Sequence, residues 1–213
     1  CANVHLNNGN WLSYNETTIG ADSKNVSCVF AATNSFIDAY QNNASAMVRL
    51  NKDMIVKDSL WTNNYLYAYG ANVSPSLVVE GGKWVNLARL YFGTPDGAKM
   101  TIDGGEHEWF GQIYVGYETG KSGEATFKSG KVTMTSSEMI ALGYDGSGTF
   151  YINGGEILMP SGGGLSLGHT LQGTGFVKMT GGSLSIPSSE TGLVVSRYGK
   201  GTFLMEGGAL IVG

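Results

Sequence analysis

Residues 123–134 read GEATFKSGKVTM, residues 148–159 GTFYINGGEILM, residues 175–186 GFVKMTGGSLSI and residues 201–212 GTFLMEGGALIV. Each line is a short strand of alternating residues, a two-residue turn that is usually Gly-Gly, and a second alternating strand. Solvated loops such as IALGYDGSG and LSLGHTLQGTG separate them. Self-similarity at a period of 20–50 residues is the signature of solenoids and arrays.

Taking the second turn residue as an anchor carries this register back through the chain: Gly9, Ser35, Ser59, Gly82, Gly105, Gly130, Gly155, Gly182 and Gly208. Successive spacings are 26, 24, 23, 23, 25, 25, 27 and 26 residues. Fixed offsets from the anchor give chemically uniform columns. Five residues before it stand Val4, Phe30, Met54, Leu77, Met100, Ala125, Phe150, Val177 and Phe203. Three before it stand Leu6, Ala32, Val56, Val79, Ile102, Phe127, Ile152, Met179 and Met205. Two after it stand Trp11, Ile37, Trp61, Trp84, His107, Val132, Ile157, Leu184 and Leu210, apolar with the exception of His107. Strand alternation sends these columns to one face, where like residues stack from rung to rung.

The column two before the anchor is polar and faces out. It sets Lys57 beside Glu80, and Asp103 beside Lys128, on adjacent rungs. The residue just before the anchor is Asn, Asp, Gly or Ser, so a sharp turn recurs at each rung. A further strand follows in TTIG, YAYG, LYFG, IYVG, IALG and LSLG, ending at Gly20, Gly70, Gly93, Gly116, Gly143 and Gly168, and it is weakest around 47–50 and 194–197. These features predict an all-β, right-handed parallel β-helix (a β-solenoid) of about nine rungs of ~25 residues. It is a single domain over 1–213, with degenerate N-terminal rungs in 1–76 and regular GG-turn rungs in 77–213.

Composition agrees. Gly is 33 of 213 residues but Pro only 4, and 42% of residues are hydrophobic, which fits tight turns between buried strands rather than disorder. Charged residues are 14% and the net charge is −4, so no basic field exists to attract nucleic acid. No apolar run reaches the roughly 20 residues of a membrane span. No signal peptide is seen, which points to a mature form or an excised segment.

The alternating strand, GG, second strand, then LxxG and a Gly-rich loop resembles the β-strand repeats of bacterial autotransporter passengers and related secreted proteins. TFYINGGEILMPSGGGLSLG and FVKMTGGSLSI are the most similar stretches, and the likeness weakens before about Leu77. The resemblance implies an extracellular or surface-anchored solenoid with stalk, adhesive or assembly roles. It brings no catalytic motif and no cofactor.

The candidate sites are few. GGEHEWFGQ (104–112) could gather Glu106, His107, Glu108 and Trp109, but the register makes His107 a core residue with both glutamates outside. Polysaccharide-cleaving β-helices need clustered acids, whereas these acids alternate with lysines, so no catalytic or metal residue is assigned. Tyr117, Tyr144 and Tyr198 follow the LxxG position or its equivalent, with His169 between them, and form a column for glycan contact or for packing over turn glycines. Tyr14, Tyr40, Tyr65, Tyr67 and Tyr69 add exposed aromatics. Cys1 and Cys28 lie about one rung apart and suit a disulfide; Cys1 would also suit an acylated first residue, or marks a cut. Sequons at Asn15, Asn25, Asn43 and Asn72 occur about as often as chance allows in such a chain.

Open rungs expose unpaired edges and apolar columns. GGALIVG is a good rung without a cap, and VHLNNGNWLSY is a usable one. Either the chain is a fragment of a longer solenoid, or its ends pair with other copies through Val4, Leu6 and Trp11 at one end and Phe203, Met205, Leu210 and Val212 at the other. The expected function is an extracellular or cell-surface structural protein, assembling head to tail into a filament or extended by flanking repeats into a stalk. The alternative is an adhesin that displays tyrosine-rich loops to surface glycans.

Overall fold

The computed structural model of the chain describes residues 3–13, 15–20, 29–39, 46–68, 70–187 and 192–213. Cys1 and Cys28, with the disulfide expected of them, lie outside the described residues, as do Tyr14, Tyr40, Tyr69, Asn25 and Asn43. Among the described residues the regular elements are all strands. The chain is a parallel β-solenoid.

One turn shows the plan. Val29–Thr33 leads through a tight turn into Phe36–Ala39, and Met47–Leu50 follows as the third strand. In the fifth and sixth turns the first two strands run on as one, Ala98–Trp109 and Ser122–Met134. First and second strands build a 16-stranded sheet and third strands an 8-stranded sheet. The first two strands recur nine times and the third eight, which makes eight complete turns and two strands of a ninth rather than nine full rungs.

The apolar columns pair as the sequence register requires. Val4, Phe30, Met54, Leu77, Met100, Ala125, Phe150, Val177 and Phe203 are successive Cα partners. So are Trp11, Ile37, Trp61, Trp84, His107, Val132, Ile157, Leu184 and Leu210. Inside, Trp61 and Trp84 stack with centroids 4.6 Å apart and planes 6° from parallel. Trp109 meets Trp84 edge-on at 5.3 Å. Burying side chains of this size stabilises by roughly 1.5–3 kcal/mol each. No turn could achieve that burial alone, because each ladder residue is covered by its partners in the neighbouring turns.

Third strands depart from expectation in three places. Met47–Leu50, expected to be weak, is a regular strand paired on both sides. In the following turn the strand is Tyr65–Ala68, with Leu66 opposite Leu90 and Tyr67 opposite Tyr91. The YAYG reading placed it one residue too far along, and a one-residue slip exchanges the inner and outer faces. Leu193–Val195 likewise pairs with Leu165–Leu167.

The tight turns change chemistry along the chain. Asn8, Asn34 and Asp58 hold φ of 51°, 48° and 46°, so in the first three turns the left-handed residue precedes the anchor. The anchor itself then tolerates Ser. The Ser35 and Ser59 hydroxyls donate to Thr33 O at 2.8 Å and to Lys57 O at 2.7 Å. They also accept from the amide one turn earlier, Gly9 N–H at 3.3 Å and Ser35 N–H at 3.0 Å. From the sixth turn onward the left-handed residue is the anchor, as at Gly182, where φ is 73° and a Cβ would sit 2.5 Å from the Gly154 carbonyl carbon. The fourth and fifth turns use both positions. The ladder's register shift, around Asp103 opposite Ser129, falls at the change between these types. The N-terminal turns are therefore a second turn design and not an eroded copy of the first.

Candidate functional site

The described surface with the most concentrated chemistry is the outer face of the eight-stranded sheet. In Leu90–Phe92 and Ile113–Val115 the flanking residues point into the core, which turns Tyr91 and Tyr114 outward. Parallel pairing sets Tyr67, Tyr91 and Tyr114 in one file. Their rings stack, Tyr67 on Tyr91 at 4.8 Å and 6°, Tyr91 on Tyr114 at 5.1 Å and 14°. A second file lies beside it. The amides of Tyr144, His169 and Tyr198 donate to Gly116 O, Gly143 O and Gly168 O, which puts all three and Tyr117 in equivalent positions. Tyr117 stacks on Tyr144 at 5.1 Å and Tyr144 on His169 at 4.8 Å. Tyr117 also lies edge-on to Tyr91 and Tyr114, at 5.0 and 4.9 Å, so the two files interlock.

This packing buries Tyr91 and Tyr114 to 8% and 7% exposure although both face away from the core. Ring faces are turned onto one another. Desolvation raises the Tyr67 and Tyr114 phenols, Tyr114 to about 12, so both keep their protons as donors. Arg89 Nη1 donates to the Tyr91 hydroxyl at 3.5 Å, and the Tyr114 hydroxyl donates to Oε1 of Gln112. Of the three tyrosines expected to form a contact column, the backbone register includes all; Tyr117 and Tyr144 are half-buried in the files, and Tyr198 is 64% exposed with the Arg197 guanidinium 5.7 Å from its ring centroid. Sequence reading missed Tyr91, Tyr114, Arg89 and Gln112. The usable signal was the middle Tyr of LYF and IYV, hidden by the slip at 65–68.

The 104–112 segment folds as the register requires. His107 is buried beside Trp84, Glu106 is exposed, and Glu108 pairs with Lys83 at 2.7 Å. His107 Nδ1 accepts the Trp84 amide at 3.1 Å, which leaves Nε2–H to donate to Gly104 O at 2.8 Å. Burial lowers its pKa, against the hydrogen bond to Gly104, and holds the ring neutral. Among the described residues no group of three or more His, Cys, Asp or Glu side chains could hold a metal ion.

At the two ends the ladder residues are less covered than mid-solenoid. Val4, Met205 and Val212 are exposed, and Leu6, Trp11, Phe203 and Leu210 half-buried against the core. The outer charges pair between turns: Lys57–Glu80 at 3.8 Å, Asp103–Lys128 at 3.7 Å, Lys131–Glu156 at 3.4 Å and Lys178–Glu206 at 3.0 Å. Such exposed pairs are worth roughly 0–1 kcal/mol each. No helix of the described chain is long and apolar enough to cross a membrane.

The fold and this surface together define a parallel β-solenoid with an aromatic flank. Compared with family models, curated proteins and solved structures, the chain matches none.

Proposed function

We propose that the chain is a structural element of an extracellular or cell-surface assembly, catalysing no reaction of its own and stacking in register on other copies or on flanking repeats. The observation that supports this is the uniformity of the ladders. Apart from His107, each turn offers apolar residues in the same columns, so one turn's face resembles another's. Setting the last described turn against the first brings Phe203 to Val4, Met205 to Leu6, Leu210 to Trp11 and Ile211 to Leu12, apolar residue to apolar residue in each column. A heterologous contact of this kind that does not close yields an open filament, and free strand edges supply its main-chain hydrogen bonds. The sequence likeness to autotransporter passengers points the same way, to a stalk or fibre.

Light scattering and electron microscopy of the isolated chain test the self-assembling form. Fibres or end-to-end oligomers are expected, and Leu210→Lys with Val212→Lys disperses them. A monomer that persists at high concentration removes head-to-tail assembly. A second reading, a glycan-binding adhesin, is favoured by Tyr198, whose exposed ring is the one member of the expected column that offers a face.

A further inference from the structure

The sequence holds three arginines, and each lies by a tyrosine of the same flank. Arg49 is the Cα partner of Tyr67, Arg89 reaches Tyr91, and Arg197 lies over Tyr198. Arg49 is neutralised by Glu16 at 3.0 Å. Arg89 and Arg197 have no ion-pair partner among the described residues, although the exposed lysines of the opposite sheet are largely paired. Arg89 and Arg197 are thus guanidiniums without an ion pair on the tyrosine flank, Arg197 sharing its end of the flank with Asp145 and Arg89 standing among tyrosines alone.

Donors cluster around Arg89. Its Nη1 donates to the Tyr91 hydroxyl, which leaves that hydroxyl's own proton and the rest of the guanidinium fork for a ligand. Gln112 uses Oε1 to accept from Tyr114, so its amide N–H groups have no bond within the described chain. Above and below, the Tyr67 and Tyr114 rings repeat at 4.8 and 5.1 Å. Donors repeated along the solenoid axis suit a polymer with repeating groups better than one small molecule. A guanidinium at the centre calls for a planar anion that takes two parallel hydrogen bonds. Because ring faces are occupied by neighbouring rings, recognition here runs through hydroxyls and charge and not through sugar–ring stacking.

We propose that this flank binds an acidic polysaccharide, a chain of uronate sugars lying along the tyrosine files with one carboxylate on the Arg89 guanidinium. The inference rests on the adhesin reading and moves its centre from Tyr198 to Arg89. Affinity electrophoresis through gels carrying alginate, a neutral glucan or inorganic polyphosphate tests it. Wild type is retarded by alginate alone, and the retardation fades as salt rises. Arg89→Gln weakens it by about tenfold or more, the loss expected for a hydrogen bond between charged groups, and Arg89→Lys falls between. Circular dichroism of both Arg89 variants is expected to match wild type, because Arg89 is exposed. Equal retardation by polyphosphate, or an Arg89→Gln variant that runs as wild type, overturns the proposal. If the Tyr117, Tyr144 and Tyr198 triple alanine variant alone loses alginate binding, the adhesin reading stands and the Arg89 site falls. If alginate and glucan retard nothing, both fall.

Discussion

His107 stands in a column where the other turns carry Trp, Ile, Val or Leu. A buried imidazole is tolerated because both nitrogens are matched, one by the Trp84 amide and one by Gly104 O. Protonation would turn Nδ1 into a donor facing another donor and place a charge in the core. The folded-state pKa is therefore lowered below the unfolded value of about 6.5. The stability this group contributes is intact above that value and is lost as pH falls towards the folded pKa. Urea melts at pH 7.5 and pH 5 are expected to show wild type weaker at pH 5. His107→Leu, which restores the residue found at Leu184 and Leu210, shows a smaller difference between the two. The remainder belongs in part to His169, which burial lowers in the same direction. An undiminished pH dependence in the variant would remove His107 as its source. Trp84 is the other decisive side chain, since it touches Trp61 on its face and Trp109 on its edge, and its indole donates to Asn63 at 2.5 Å. Trp84→Ala should cost about 3–5 kcal/mol in chemical denaturation.

At the scale of the strand and turn, two designs coexist and predict opposite tolerances. Ser59 is an acceptor for a buried amide, so Ser59→Ala strands the Ser35 N–H and costs about 1–3 kcal/mol. Asn34 holds a left-handed conformation that Gly accepts freely. Asn34→Gly should leave the melting temperature nearly unchanged, whereas Asn34→Ala lowers stability by roughly 1–2 kcal/mol. Gly182→Ala meets the same dihedral cost and a backbone contact as well, and should be worse than either. Inward columns were readable in the sequence because burial restricts them to apolar residues turn after turn. Turn type was not, since Asn-Ser and Gly-Gly both satisfy a search for turn formers while placing the left-handed residue differently. Three-residue strands such as Leu90–Phe92 offer too few alternations to fix a face, which is how the tyrosine files escaped notice. The charge pairs at Lys57–Glu80 and Asp103–Lys128 could be anticipated from the outer column, and the second forms despite the shift that sets Asp103 opposite Ser129.

For the whole molecule, the consequence of stacking is that stability is close to a sum over neighbours. Strand pairing joins each turn only to the one before and the one after. A chain ending at Pro187 should therefore remain folded, with a smaller denaturant m-value in proportion to the surface no longer buried. Its collapse to an unfolded chain would mean that the solenoid behaves as one indivisible unit. The aromatic residues are not spread evenly along this stack. Trp61, Trp84 and Trp109 fill the middle inside, Tyr67, Tyr91 and Tyr114 line the same turns outside, and the last turn has neither Trp nor Tyr. Aromatic rings fixed by packing give a near-ultraviolet circular dichroism signal, which is lost when that packing is lost. The molecule thus carries an optical reporter weighted towards its middle turns. Followed beside the far-ultraviolet strand signal, it would show during unfolding whether the stack frays from its ends or parts at its centre.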